Sequence, residues 1–101
     1  MEIKVTNENR CAEIRLIGEL DHHGAKGLMA KIEREIEGLL PLQLVLDFSG
    51  VTFMDSSGIA VVLRTKQRMK ELGGTVKLRK ITAQPKRVFE AAGISRIVEM
   101  E

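Results

Sequence analysis

Between Leu44 and Leu72 the chain reads LVLDFSGVTFMDSSGIAVVLRTKQRMKEL, an apolar run, a polar break and then helical spacing. The apolar residues Leu42, Leu44, Val45, Leu46 and Phe48 predict a central strand covered on both faces. A short loop leads to Asp55-Ser56-Ser57-Gly58. From Ser57 to Leu72 the residues Ile59, Val62, Leu63, Lys66, Met69 and Leu72 fall along one side of a helix, which Gly73-Gly74 stops.

A helix start leaves backbone N–H groups unpaired and carries the positive end of the macrodipole. Asp55, Ser56 or Ser57 can serve there as the N-cap. A serine exposed at the same place can also carry phosphate, which adds about −1.5 to −2 charges. Spacing does not choose between the two serines.

Working outward, Pro41 closes a helix from Gly24 to Leu39. Ala25, Leu28, Met29, Ile32, Ile36 and Leu39 form its apolar stripe, and Lys31, Glu33, Arg34, Glu35 and Glu37 occupy the remaining surface. Gly24 and Gly27 weaken its first turn, each by about 1 kcal/mol relative to Ala. Further upstream, Ile3 and Val5 alternate with charged neighbours, Asn7-Glu8-Asn9 turns the chain, and Cys11 to Gly18 forms the second strand of a hairpin. Downstream come a strand at Thr75–Leu78, a helix at Pro85–Ala92 capped by Gly93, and an edge strand at Arg96–Met100. The order ββαβαβαβ predicts an α/β domain with a mixed, mostly parallel sheet, an N-terminal hairpin and helices packed against it. With 101 residues and 44% hydrophobic content, residues 1–101 make one domain.

The formal charge of +2 arises from 16 basic and 14 acidic residues that are interspersed, and the aromatics are three Phe with neither Trp nor Tyr. Neither a basic surface nor a stacking platform results, so no nucleic-acid partner is expected. The basic excess at Lys77, Arg79, Lys80, Lys86 and Arg87 reads as a solvated face. Cys11 is alone, which excludes an internal disulfide and points to a reducing, cytoplasmic setting. No signal-type apolar segment and no run of about 18 apolar residues is present, so no membrane partner is expected.

Gly18-Glu19-Leu20-Asp21-His22-His23 follows a strand and precedes a helix, which places two carboxylates and two imidazoles in one loop. That loop can approach Asp55-Ser56, because both follow C-terminal strand ends. Adjacent histidines diverge and no third ligand is suitably spaced, so neither a metal nor another cofactor is assigned. A triad of Ser56, a histidine and Asp21 lacks the G-x-S-x-G elbow and the material for an oxyanion shell. No catalytic residue is assigned, and the chain reads as a non-enzyme.

Glu19-Leu20-Asp21-His22-His23 and Phe53-Met54-Asp55-Ser56-Ser57-Gly58, with Leu44–Phe48, Lys70–Gly74 and Arg87–Ile94 in matching order, resemble the anti-sigma factor antagonists of the STAS family. The resemblance covers nearly the whole chain. It implies that the unphosphorylated protein binds an anti-sigma factor serine kinase and releases the sigma factor. The E-L-D-H-H segment points to sporulation members acting through sigma F. The resemblance selects Ser56 as the phosphorylated residue and a PP2C-type serine phosphatase as the enzyme that restores activity. It further implies a partner-binding surface of Asp21, His22, Asp55, Ser56, Ser57, Gly58 and Ile59, with Asp21 as an ion-pairing contact, on a monomer. A phosphate on Ser56 is expected to be held by helix N–H groups without refolding. Gly24 departs from the pattern, since relatives often carry there a hydroxyl residue that could cap the first helix. A second reading makes the domain a STAS adaptor in another stress-signalling or transport assembly.

Overall fold

Asn9 and Arg10 both adopt positive φ, at 51° and 60°, and Glu8 pairs with Cys11 across them. This two-residue turn matches strand twist and closes the opening hairpin. The computed structural model describes residues 1–101, with strands β1 (Glu2–Glu8), β2 (Cys11–Leu20), β3 (Gln43–Met54), β4 (Thr75–Arg79) and β5 (Glu99–Met100). Helices α1 (His22–Leu39), α2 (Ser56–Glu71) and α3 (Ala83–Ala91) connect them, and a 3₁₀ turn at Ile94–Arg96 precedes β5. The five strands lie in sequence order, β1 antiparallel to β2 and all later neighbours parallel. The predicted order ββαβαβαβ and the mixed sheet are therefore what the molecule adopts.

Crossovers that step repeatedly in one direction place every helix on the same face. The core accordingly joins Ile14, Leu16, Leu44, Leu46 and Leu78 of the sheet to Ile32 and Ile36 of α1 and to Val62 and Met69 of α2. Phe48 and Phe89 meet edge to face at 5.3 Å and 83°, which ties α3 to β3. Each fully buried side chain of this size contributes about 1.5–3 kcal/mol by leaving water.

The opposite face corrects two expectations. β3 is buried there as well, yet no helix covers it. Val45 lies in register between Glu13 and Lys77, and Asp47 between Arg15 and Arg79. Arg79 reaches across β3 to Glu13 at 2.9 Å, while Lys77 pairs with Glu101 at 3.0 Å and with Glu99 at 3.7 Å. The stems of these charged side chains take the place of a second helical layer. Lys77 and Arg79 thus belong to cross-strand pairs and not to a solvated basic face.

These pairs, with the Glu101 N–H donating to the Leu78 carbonyl at 2.8 Å, hold the short last strand. Hydrogen bonding and attraction from Lys77 lower the Glu101 carboxyl, and the same hydrogen bond to Glu101 raises the Lys77 amine. The Glu101 contribution is present above the unfolded carboxylate pKa and lost as pH falls through the lower folded value. That of Lys77 is present below its unfolded pKa and lost as pH rises through the higher folded value. Amide protection of Glu101, corrected for intrinsic exchange, is expected to decline at both ends of the pH range and in high salt. A flat profile would assign β5 to backbone pairing alone.

Boundaries and faces moved where side chains compete with simple periodicity. The short loop expected between Phe48 and Asp55 is strand instead: the Asp47 carboxylate accepts the Ser49 N–H at 2.8 Å and a bulge absorbs the extra residues, so β3 continues to Met54. The buried face of α2 is Gly58, Val61, Val62, Thr65 and Met69, whereas Leu63 and Leu72 are 39% and 37% exposed. Thr65 can be buried because its hydroxyl donates to the Val61 carbonyl at 2.7 Å. α3 begins at Ala83, ahead of Pro85, since a proline in the first turn removes no needed donor. The predicted strand at Arg96–Met100 shortens to Glu99–Met100. No helix is long and apolar enough to cross a membrane.

Candidate functional site

β2 and β3 run in parallel register to their last residues, Leu20 opposite Met54. Each then enters a helix through a single aspartate. Asp21 and Asp55 are therefore equivalent positions in neighbouring units, and the Asp55 N–H donates to the Leu20 carbonyl at 3.3 Å. Asp21 caps α1, its Oδ1 accepting the Gly24 N–H at 2.8 Å. Asp55 caps α2, its Oδ1 accepting the Ser57 N–H at 2.8 Å, while its carbonyl accepts the Gly58 N–H at 3.0 Å.

The cap left open among Asp55, Ser56 and Ser57 is thus Asp55. Ser56, the first helical residue, is exposed, and Ser57 is half-buried. The expected loop from Gly18 to His23 does not exist as such: Gly18–Leu20 finish β2 and His22-His23 begin α1, both histidines exposed. Asp21 nevertheless comes beside the Asp55-Ser56 turn, as expected from the strand ends. Its carboxyl is held below the usual carboxylate range by the Gly24 N–H, with partial desolvation opposing and the His23 charge assisting. No group of three or more His, Cys, Asp or Glu side chains converges as a metal site.

Gly24 and Gly58 are spacing residues. A Cβ at Gly24 would stand 2.5 Å from the Glu19 carbonyl oxygen and 3.1 Å from Met1 Cγ, so this third residue of α1 has no room for a hydroxyl side chain. The capping role belongs to Asp21 instead. Gly58 is buried, and α2 rests through it on Met54 and Leu20. It can shape the surface only by setting the height of α2.

Two shallow grooves flank the start of α2. One, of about 270 Å³, is lined by His22, Lys26, Met29, Ser57 and Arg64 between α1 and α2. The other, of about 540 Å³, is lined by Ile59, Gln84, Arg87, Val88 and Ala91 between α2 and α3. The basic rim of the first and the α3 wall of the second escaped the sequence reading, because nothing local in Lys26, Arg64 or Gln84 marks them. Only the crossovers bring α1 and α3 alongside α2, where these grooves reach Ser57 and Ile59.

With Asp55 already engaging the Ser57 and Gly58 N–H groups, a phosphate on Ser56 would meet a carboxylate beside it and fewer open N–H groups than expected. Replacing Asp55 by Ala is expected to cost about 1 kcal/mol through loss of the cap. A thermal melt would register this as a fall of about 4–8 °C. An unchanged melt would show that Ser56 or Ser57 takes over the cap.

The STAS domain profile matches residues 2–101. The anti-sigma F factor antagonist of Lysinibacillus sphaericus is 33% identical over 81 residues, 80% of this chain and 69% of that protein. The anti-sigma-B factor antagonist of Bacillus subtilis (strain 168) is 30% identical over 94 residues, 93% of this chain and 84% of that protein. The solved anti-sigma factor antagonist SpoIIAA superimposes with a TM-score of 0.82 in its unphosphorylated form, at 28% identity over 99% of this chain and 88% of that one. The phosphorylated form of SpoIIAA, from Bacillus, gives a TM-score of 0.73 at 28% identity, over 99% of this chain and 91% of that one. With an exposed serine at the capped start of α2 and the profile match over residues 2–101, the chain belongs to the STAS domain family, among its anti-sigma factor antagonists.

Proposed function

We propose that this chain is a phosphorylation-controlled switch: unphosphorylated, it binds an anti-sigma factor serine kinase and frees the sigma factor, sigma F in sporulation. Phosphorylation of Ser56 ends that binding, and a PP2C-type serine phosphatase restores it. The observation that carries the reading is the exposed Ser56, the first residue of α2, directly after the cap Asp55 and at the strand ends where Asp21 caps α1. Existence of similar SpoIIAA in phosphorylated and unphosphorylated forms supports it.

The partner surface would be Asp21, His22, Asp55, Ser56, Ser57 and Ile59, with Gly58 beneath them. In the transfer, Ser56 Oγ forms a bond to the γ-phosphorus of ATP, the bond from that phosphorus to the bridging oxygen of ADP breaks, and the hydroxyl proton leaves to a base of the kinase. This chain supplies only the nucleophile and its placement. Dianionic charge then stands next to Asp55 on a surface matched to the neutral serine, and like charge at an interface weakens docking.

Intact-mass analysis after incubation with the cognate anti-sigma kinase and ATP, followed by peptide mapping, tests the reading. One phosphate on Ser56 is the expected result. No modification by an active kinase would favour the adaptor reading. Comparable identity to the sigma-B antagonist supports a second assignment, to a stress-response sigma factor. Exchange of the sigma F kinase for a sigma-B kinase in the same assay separates the two.

A further inference from the structure

β3 outlasts β4. Their register ends at Asp47 opposite Arg79, while β3 continues to Met54. On one edge the upper half of β3 remains paired with β2, as far as Leu20 opposite Met54. The other edge is met by side chains from the start of α3. The Thr82 hydroxyl donates to the Val51 carbonyl at 3.0 Å. Gln84 engages both backbone groups of Met54: its Oε1 accepts the Met54 N–H and its Nε2 donates to the Met54 carbonyl, each at 2.8 Å.

One amide side chain thus does for Met54 what an adjoining strand would do. The carbonyl it holds belongs to the peptide bond joining Met54 to Asp55. Asp55 is the cap of α2, and Ser56 follows it directly. Gln84 itself stands on a fixed base, since Pro85 is buried beside it and Phe89 packs on Phe48. Fixing both polar groups of the residue before the cap restricts the backbone that aims the Ser56 hydroxyl.

We propose that Gln84 is a positioning residue for phosphoryl transfer to Ser56, acting through the Met54–Asp55 peptide; this rests on the reading of Ser56 as the acceptor. Transfer requires the hydroxyl in line with the γ-phosphorus, and small misplacements cost rate more than affinity. Gln84→Met keeps an unbranched chain of similar length and removes both hydrogen bonds. With the cognate anti-sigma kinase and ATP, it is expected to lower kcat for Ser56 phosphorylation about tenfold, with KM for the chain changed far less. In the isolated domain, amide exchange at Met54 should speed up.

Thr82→Val removes the adjacent hydrogen bond to Val51 without touching Met54, and it should retain the wild-type kcat. A wild-type kcat in Q84M, or an equal loss in T82V, overturns the inference. Should Q84M fail to fold, Gln84→Glu retains an acceptor for the Met54 N–H but sets a carboxylate oxygen against the Met54 carbonyl. The same loss of kcat is expected there, and its absence is equally decisive. A wild-type chain that takes no phosphate removes the reading of Ser56 and this inference with it, a result distinct from a phosphorylated wild type and an unimpaired Q84M.

Discussion

Ser56→Ala is expected to bind the anti-sigma kinase as the wild type does and to accept no phosphate, while Ser56→Asp should bind about tenfold to a hundredfold more weakly. The structure allows these outcomes to be read without interference from folding. Ser56 is exposed and the cap of α2 is Asp55, so removing the hydroxyl breaks no cap. A change at such a position stays within about 0.5 kcal/mol. An aspartate on the first helical residue gains about 0.3–1 kcal/mol from the macrodipole, set against repulsion from Asp55. Both variants should therefore melt near the wild type, and any difference in Kd belongs to the interface. Equal binding by the two variants would remove charge as the basis of the switch.

Much of the fold could be read from the chain because its signals are local and repeated. The apolar run at Leu44–Phe48, the stripe from Leu28 to Ile36 and the glycine pair at Gly73-Gly74 each specify an element without reference to the others. What failed depended on contacts distant in sequence. Nothing near Val45 and Asp47 announces that Glu13, Lys77 and Arg79 will shield them, because those residues meet only once β2, β3 and β4 are aligned. The stripe of α2 slipped for a different, local reason: Thr65 counts as polar by type, yet its bond to the Val61 carbonyl one turn back lets it face the core, while Leu63 is exposed.

The site divides in the same way. Asp21 and Asp55-Ser56 could be brought together on paper, since strand ends in a parallel sheet collect their loops on one side. That Asp55 rather than a serine is the cap required the hydrogen bond to the Ser57 N–H. Gln84 carries no signal in sequence at all, because its partner is backbone, and any residue at position 54 presents the same N–H and carbonyl.

Gly58→Val tests whether the height of α2 above the sheet is fixed by packing. A Cβ at this position would lie 2.4 Å from Met54 Cγ and Sδ and 3.0 Å from Leu20 Cδ2. Met54 and Leu20 are 1% and 0% exposed, so neither can retreat into solvent. For Gly58→Ala, a helix-propensity gain of up to about 1 kcal/mol partly offsets an overpacking cost of about 1–3 kcal/mol. Valine adds two methyl groups to the same space and loses rotamer freedom in the helix. Its expected cost is about 3 kcal/mol. For a domain of this size, that lowers the melting temperature by more than about 10 °C. Relief comes most directly from lifting the first turn of α2, which carries Ser56 and Ile59 with it, so phosphorylation of the folded fraction should slow as well. A melting temperature within about 2 °C of the wild type would show that Met54 repacks around the new side chain. The close seat of α2 would then be a consequence of the glycine and not a requirement of the fold.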